Sequence, residues 1–246
     1  MQPHKIVSQQ EWIEARKALL AREKEFTRAR DRLSEERRAL PWVKVDKAYL
    51  FESAEGRKTL SDLFKGRPQL VVQHFMFAPA WNEGCKSCSF WADGYERMIP
   101  HLAARDTSFV AISRAPLAKL EAFKTRMGWT FDWVSSDLSD FNFDYAVSFT
   151  PDQTKSGAKI YNFGTSGFGA EEAPGISVFY RGEAGQIFHT YSCFARGLDM
   201  MNAAYHYLDL TPLGRHEEGL PYPMDWVRLH DRYAPAQAPA ARRHER

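Results

Sequence analysis

Residues 69–77 read QLVVQHFMF, a near-continuous apolar run of strand length. A strand with one wet face alternates apolar and polar residues, whereas a strand covered on both faces does not. The run therefore predicts a central strand that needs helices on both sides. The flanking sequence supplies them. Residues 89–105 (SFWADGYERMIPHLAAR) have helical spacing, with a kink or break expected at Pro100. Residues 107–114 (TSFVAISR) read as the next strand, 115–128 as a helix stopped by Gly128, and 129–136 (WTFDWVSS) as a further strand. ISVFYRG and QIFHTYS flank EAG and read as a β-hairpin, and 197–210 as a closing helix. Upstream, 47–52 (KAYLFE) reads as a short strand, SAEGRK as a turn, and TLSDLFKGR as a short helix with Gly66 near its end. Helices alternate with strands first and a hairpin follows, which predicts an α/β fold with a mixed central sheet flanked by helices.

The chain has 246 residues, 44% of them hydrophobic, enough for a sizeable core without disulfides. Its net charge of +2 carries no signature of nucleic-acid or membrane binding. No apolar run is long enough to span a bilayer. The first residues lack the charged-then-apolar layout of a signal peptide, so a cytoplasmic protein is expected. Residues 8–39 predict one long or broken helix ending near Pro41, opened by the capping-box pair Ser8 and Glu11, with a partial apolar stripe of Trp12, Ala15, Leu19 and Phe26. Its charges mix both signs and fit a solvated face. The expected organisation is a helical extension over 1–42, a main domain over 43–212, and a C-terminal extension over 213–246 ending in a disordered tail (APAQAPAARRHER). Residues 137–173, aromatic, polar and rich in Gly, read as a long irregular insertion of the kind that forms lids.

Two of the three cysteines, Cys85 and Cys88, stand just beyond the apolar run with two residues between them. Redox dithiol, half of a metal site, and inert core thiols are all open to such a pair. Thiol–disulfide exchange needs a thiolate and a second thiol within reach to release the mixed disulfide. At a helix start, unpaired N–H groups and the helix dipole stabilise the thiolate, and the pKa falls from about 8.5 to roughly 3.5–7.5. Cys85 is expected at or just before the helix start, as the attacking residue. Cys88, one turn further in, is the resolving one. Lys86 adds positive charge, and Gly84 permits a sharp turn. A structural zinc site wants four ligands, usually two close pairs. Cys193 is distant in sequence, and His74, His101 and His189 lack ligand spacing, so no metal is assigned.

The stretch LSDLFKGRPQLVVQHFMFAPAWNEGCKSCSFWADG resembles the thioredoxin-like domain-of-unknown-function family eight-nine-nine, whose members are described as predicted dithiol–disulfide oxidoreductases. NFDY, GISVFYR, GLDMMNAAYHYLDLTPLGR and PYPMDWVRLHD are similar to the same family, and the resemblance covers roughly residues 5–233. It implies a thioredoxin-like fold with additions at both ends. Thioredoxins carry a Trp directly before the pair; here Trp81 is four residues upstream, where it is expected either to cover the disulfide or to pack. Thioredoxins also carry a cis-proline before the hairpin. The corresponding residue here is Ser177, with Pro174 three residues earlier. Either Pro174 takes that role, or substrate docking is not thioredoxin-like. His74 stands where thioredoxins have a buried Asp, which implies a proton acceptor for the resolving cysteine; otherwise it is a hydrogen-bonded core histidine. Asp93 and Tyr95 read as structural, and Cys193 as a small buried hydrophobe.

The expected activity is thiol–disulfide exchange at Cys85 and Cys88 without a cofactor. The substrate is a protein or small-molecule disulfide, or a peroxide, and the electron donor is unspecified. In the peroxide alternative Cys85 is oxidised to sulfenic acid and resolved by Cys88; the layout LSDLFKGRPQLVV resembles peroxiredoxin-like chains. A different alternative is a thioredoxin-fold binding protein whose pair binds a metal or only packs.

Overall fold

The structure is a computed structural model that describes residues 4–157, 160–165 and 167–234. The expected disordered tail lies, apart from Ala234, outside the described residues. Among the described residues eight strands form one sheet: β1 (Val43–Lys44), β2 (Leu50–Ser53), β3 (Gly56–Thr59), β4 (Gln69–His74), β5 (Thr107–Ser113), β6 (Trp133–Ser135), β7 (Gly175–Arg181) and β8 (Ile187–Phe194). Their order is β1-β8-β7-β4-β5-β6-β2-β3. Only β4, β5 and β6 run parallel; every other pairing is antiparallel. The run at 69–77 gives β4, held by β5 on one side and β7 on the other. The four strands β8-β7-β4-β5, with the cysteine helix following β4, make a thioredoxin-like core in a mixed α/β fold.

The helices are α1 (Gln9–Arg38), α2 (Leu60–Leu63), α3 (Lys86–Ala92), α4 (Tyr95–Ala103), α5 (Leu117–Arg126), α6 (Phe141–Asp144), α7 (Pro151–Ser156) and α8 (Ala203–Leu208). Because β4 is covered on both faces, its side chains feed two cores. Leu70 and Val72 pack with Phe51, Leu63 and Phe141, under α2 and α6. Phe75, just past the strand, packs with Cys88, Tyr95, Leu120 and Trp133, under α3, α4 and α5. The second core is dense in rings, with Phe75 and Trp133 centroids 4.5 Å apart. Large aromatic areas of this kind dominate burial energetics. No helix among the described residues is long and apolar enough to cross a membrane.

Several local expectations change. The GRKT segment pairs with β2 as a strand, so the expected turn shrinks to Ala54–Glu55, and Gly56 at φ +106° starts the return. The helical stretch 89–105 breaks at Gly94, not at Pro100, which sits inside α4. Gly94 N–H closes α3 on the Trp91 carbonyl, and the Asp93 carboxylate leaves the helix to accept from Trp129 and His230. Within α4, Pro100 forfeits one backbone hydrogen bond. The closing helix is a 3-10 stretch, Ala195–Met201, followed by α8, which the Asn202 side chain caps at Tyr205 N–H. The described residues of the 137–173 segment are more ordered than a bare loop. They carry α6, α7 and a bridge between Ser148 and Glu172, around a small core of Val147, Phe149, Tyr161, Ala173 and Phe194.

Helix α1 has the expected capping box, with the Ser8 hydroxyl accepting from Glu11 N–H. At 1.5 Å per residue it is about 45 Å long. None of its residues is buried.

Candidate active site

Cys85 is the N-cap of α3, and Cys88 lies in its first turn. The chain leaving β4 grips both. Cys85 N–H donates to the Met76 carbonyl at 3.0 Å, and Met76 N–H donates to Cys88 Sγ at 3.4 Å. Gly84 is required by close approach: a Cβ there would come within 2.8 Å of the Phe75 ring and 2.9 Å of the Phe123 ring. The approach loop is held from outside as well. Lys119 Nζ donates to the carbonyls of Pro79 and Trp81, and Glu83 is paired with both Arg126 and Arg232.

All three cysteines are free thiols. Cys85 is partly exposed, whereas Cys88 is 4% exposed. The hydrogen bond from the Cys88 thiol lowers the Cys85 pKa to about 7. Burial opposes this, and the N–H groups of Cys88 and Ser87 and the Ser87 hydroxyl assist. Cys88 moves the other way, well above an ordinary thiol, because it donates to Cys85 and is buried. The pair is therefore asymmetric: a thiolate-forming sulfur in front and a protonated sulfur behind it. That is the division of labour an attacking and a resolving cysteine require.

Above Cys85 opens a cavity of about 1350 Å³. Gln73, Met76, Cys85 and Cys88 line its floor. One wall is Phe168–Ala170 of the insertion together with Pro174, and the opposite wall runs from Leu198 through Tyr205 to Met224. The insertion wall is fixed by Glu171, which accepts from Trp81 Nε1 at 3.0 Å, and by Glu172. Glu172 is 1% exposed and bonded to Arg114 at 2.8 Å and Ser148 at 2.6 Å. Burial pushes the Glu172 carboxyl up to about 7, against the pull of Ser148 and Arg114. The far wall is fixed by Trp91 Nε1 donating to the Leu198 carbonyl and Lys86 Nζ donating to the Asp225 carbonyl.

The residues singled out from sequence divide accordingly. Lys86 and Pro174 line the cavity with the cysteines; the structure has no cis peptide bond among its described residues. His74 and Ser177 do not. His74 Nε2 and the Ser177 hydroxyl are 2.8 Å apart on the other side of the sheet, where the imidazole stacks near Phe141 and Tyr145. Burial holds His74 down to about 3. It is a core histidine facing away from Cys88, because β4 alternates and the neighbouring Gln73 takes the cysteine side. Ser177 follows His74 because it is paired with Val72 in the sheet and bonded to Ser192. Trp81 packs at the edge of the cysteine-side core and anchors Glu171 without lining the cavity. Cys193 faces a separate cavity of about 660 Å³, beside Pro41, Phe163 and Tyr191. Sequence reasoning missed Gln73, Trp91, Leu198 and the whole Arg215–Met224 wall. Among the described residues no group of three or more His, Cys, Asp and Glu is placed to hold a metal ion.

The family whose model matches this chain, over residues 1–233, is described as "Bacterial protein of unknown function (DUF899)". No curated protein matches the sequence. Solved structures with similar chain paths include a peroxidoxin, BcpB, from Mycobacterium tuberculosis, at 14% identity over 67% of this chain and 94% of that one, with a TM-score of 0.44. A mutant of Xylella fastidiosa PrxQ matches at 15% identity over 65% of this chain and 89% of that one, with a TM-score of 0.38.

Proposed function

The chain belongs to the DUF899 family of bacterial proteins, and we propose that it is a thiol–disulfide oxidoreductase in which Cys85 attacks and Cys88 resolves. One observation carries the reading. Partly exposed Cys85 caps the start of α3 with buried Cys88 one turn behind it, and hydrogen bonding from that second thiol lowers the Cys85 pKa to about 7 while the pKa of Cys88 is driven up. At neutral pH the outer cysteine is then about half thiolate. Once Cys85 is tied up in a mixed disulfide its charge is gone. The hydrogen bond and the like-charge repulsion that keep Cys88 protonated go with it. Cys88 then ionises more readily and expels the bound group. Met76 N–H, directed at Cys88 Sγ, favours that ionisation.

The test is the alkylation rate of Cys85 against pH, read from the mass of its peptide, with Cys193 as the comparator inside the same chain. Burial pushes Cys193 upward, so it should react slowly throughout. A Cys85 midpoint near 7 supports the assignment. A midpoint at the ordinary value of about 8.5, with no Cys85–Cys88 disulfide after mild oxidation, overturns it.

A further inference from the structure

Resting on that redox reading, the geometry points to a substrate class for the site: a low-molecular-weight disulfide with bulky apolar arms, held inside the cavity, rather than a disulfide carried by a folded protein. The attacking sulfur stands on the floor of a cavity of about 1350 Å³, larger than the roughly 300–1,000 Å³ of common ligand pockets. There is room for both arms of a small disulfide. A protein partner would have to bring its own backbone down between the walls.

Those walls are built structure. The far one is laced to itself: the Glu217 carboxylate accepts from Tyr205 Oη, Met224 N–H and Trp226 Nε1. It is laced to α3 through the Lys86–Asp225 and Trp91–Leu198 bonds. Just beyond it Val227 and Leu229 are buried, at 0% and 3% exposure, so the strap is anchored at its end. Displacing it for a protein partner would break all of these contacts together.

The lining selects against charge. Met76, Trp91, Phe168, Leu198, Tyr222 and Met224 offer mainly apolar and aromatic surface. Each cation of the lining already has an acceptor. Arg215 is forked to Asp209, bonded to Asp199 at 2.8 Å, and stacked 3.8 Å above the Tyr205 ring. Arg196 pairs with Asp199, and Lys86 with the Asp225 carbonyl. Four carboxylates, Asp199, Asp209, Glu217 and Glu218, face three cations. A disulfide bearing carboxylates meets more carboxylates than cations here, with Lys86, held on a neutral carbonyl, the one lining cation not paired to a carboxylate, whereas neutral rings meet rings.

The Cys85 thiolate attacks one sulfur of R–S–S–R. The Cys85–S bond forms as the substrate S–S bond breaks, and one RS⁻ leaves. Cys88, giving up its proton, attacks Cys85 Sγ, forms the Cys85–Cys88 bond and expels the second RS⁻. The two RS⁻ take up the Cys88 proton and the one Cys85 had already released. The substrate gains two electrons and the cysteine pair loses two.

The experiment is single-turnover oxidation of the reduced full chain by three disulfides: 4,4′-dithiodipyridine (neutral, aromatic), oxidised glutathione (small, anionic) and insulin (protein). Each rate is normalised to that of free dithiothreitol with the same disulfide. The neutral aromatic disulfide should lead oxidised glutathione by about 10–100-fold, the range apolar pockets discriminate, and insulin should come last. Met224→Glu, at the half-buried rim, should slow the aromatic reaction about tenfold; an unchanged rate in that variant overturns the assignment. Insulin or glutathione matching the aromatic probe also overturns the substrate class, and leaves the dithiol reading standing. Failure of all three, with an ordinary Cys85 alkylation midpoint, removes the redox reading itself.

Discussion

Replacing Cys88 by Ala tests the electrostatics of the pair most sharply. The thiol of Cys88 is the largest cause of the low Cys85 pKa of about 7, and burial pulls against it. Without that hydrogen bond, the burial cost is opposed only by Ser87 and the N–H of residue 88. The Cys85 midpoint should then return to about 8.5 or above. At pH 7 the thiolate fraction falls from about one half to about 3%. Each thiolate also becomes a better nucleophile, because a Brønsted slope of about 0.4–0.5 over 1.5 pKa units is worth about fivefold. The first thiolate released from a small neutral disulfide should therefore appear only about threefold more slowly than in wild type at pH 7, and about fivefold faster at pH 10, with the two curves crossing near pH 8. Stopped-flow rates across that range read both arms. A midpoint that stays near 7 in Cys88→Ala, or curves that never cross, would refute the claim that Cys88 sets the reactivity of Cys85.

Gly84→Ala pushes a methyl group into the rings of Phe75 and Phe123; urea unfolding should show a loss of about 1–3 kcal/mol, as overpacking does. His74→Gln should leave the Cys85 alkylation midpoint where it is, since the imidazole faces the other side of the sheet. His74 also titrates at about 3 in the folded chain and at about 6.5 when unfolded. The folded state therefore binds fewer protons between those values, and wild-type stability falls as pH drops through that window. Urea midpoints of His74→Gln should lack this part of the acid loss. Glu172 has the opposite sign: its folded value of about 7 lies above the unfolded value of about 4.3. Its contribution is fully present below about pH 4.3 and is lost as pH rises to about 7. Glu172→Gln should flatten that slope in urea melts taken from pH 5 to pH 8.

The central strand was legible because nine residues in a row leave no wet face. The same property hid which side each residue takes. A run apolar on both faces carries no alternation to phase it, so His74 reads as well as Gln73 for the cysteine side, and only the pairing with β5 and β7 decides. The cysteine pair was legible from its place between a buried strand and a helix. The residue facing it across the hairpin was less so: Pro174 lines the cavity while Ser177, three positions on, points into the opposite core. The largest omission is the C-terminal wall. Arg215–Met224 has no helical or strand periodicity, and its place depends on contacts such as Lys86 to Asp225, 139 residues apart in sequence. Only the density of Tyr222, Met224, Trp226, Val227 and Leu229 in a supposed extension hinted that it packs.

The central claim is that Cys85 and Cys88 interconvert as one dithiol–disulfide couple. Equilibrating the full chain in glutathione buffers of graded potential, trapping with acid and weighing the peptide that holds both residues tests it directly. The account predicts a single two-electron transition in which that peptide loses two hydrogens while Cys193 stays alkylatable. Cys85 and Cys88 remaining separately alkylatable at every potential, or Cys85 ending only as a glutathione adduct, would contradict it.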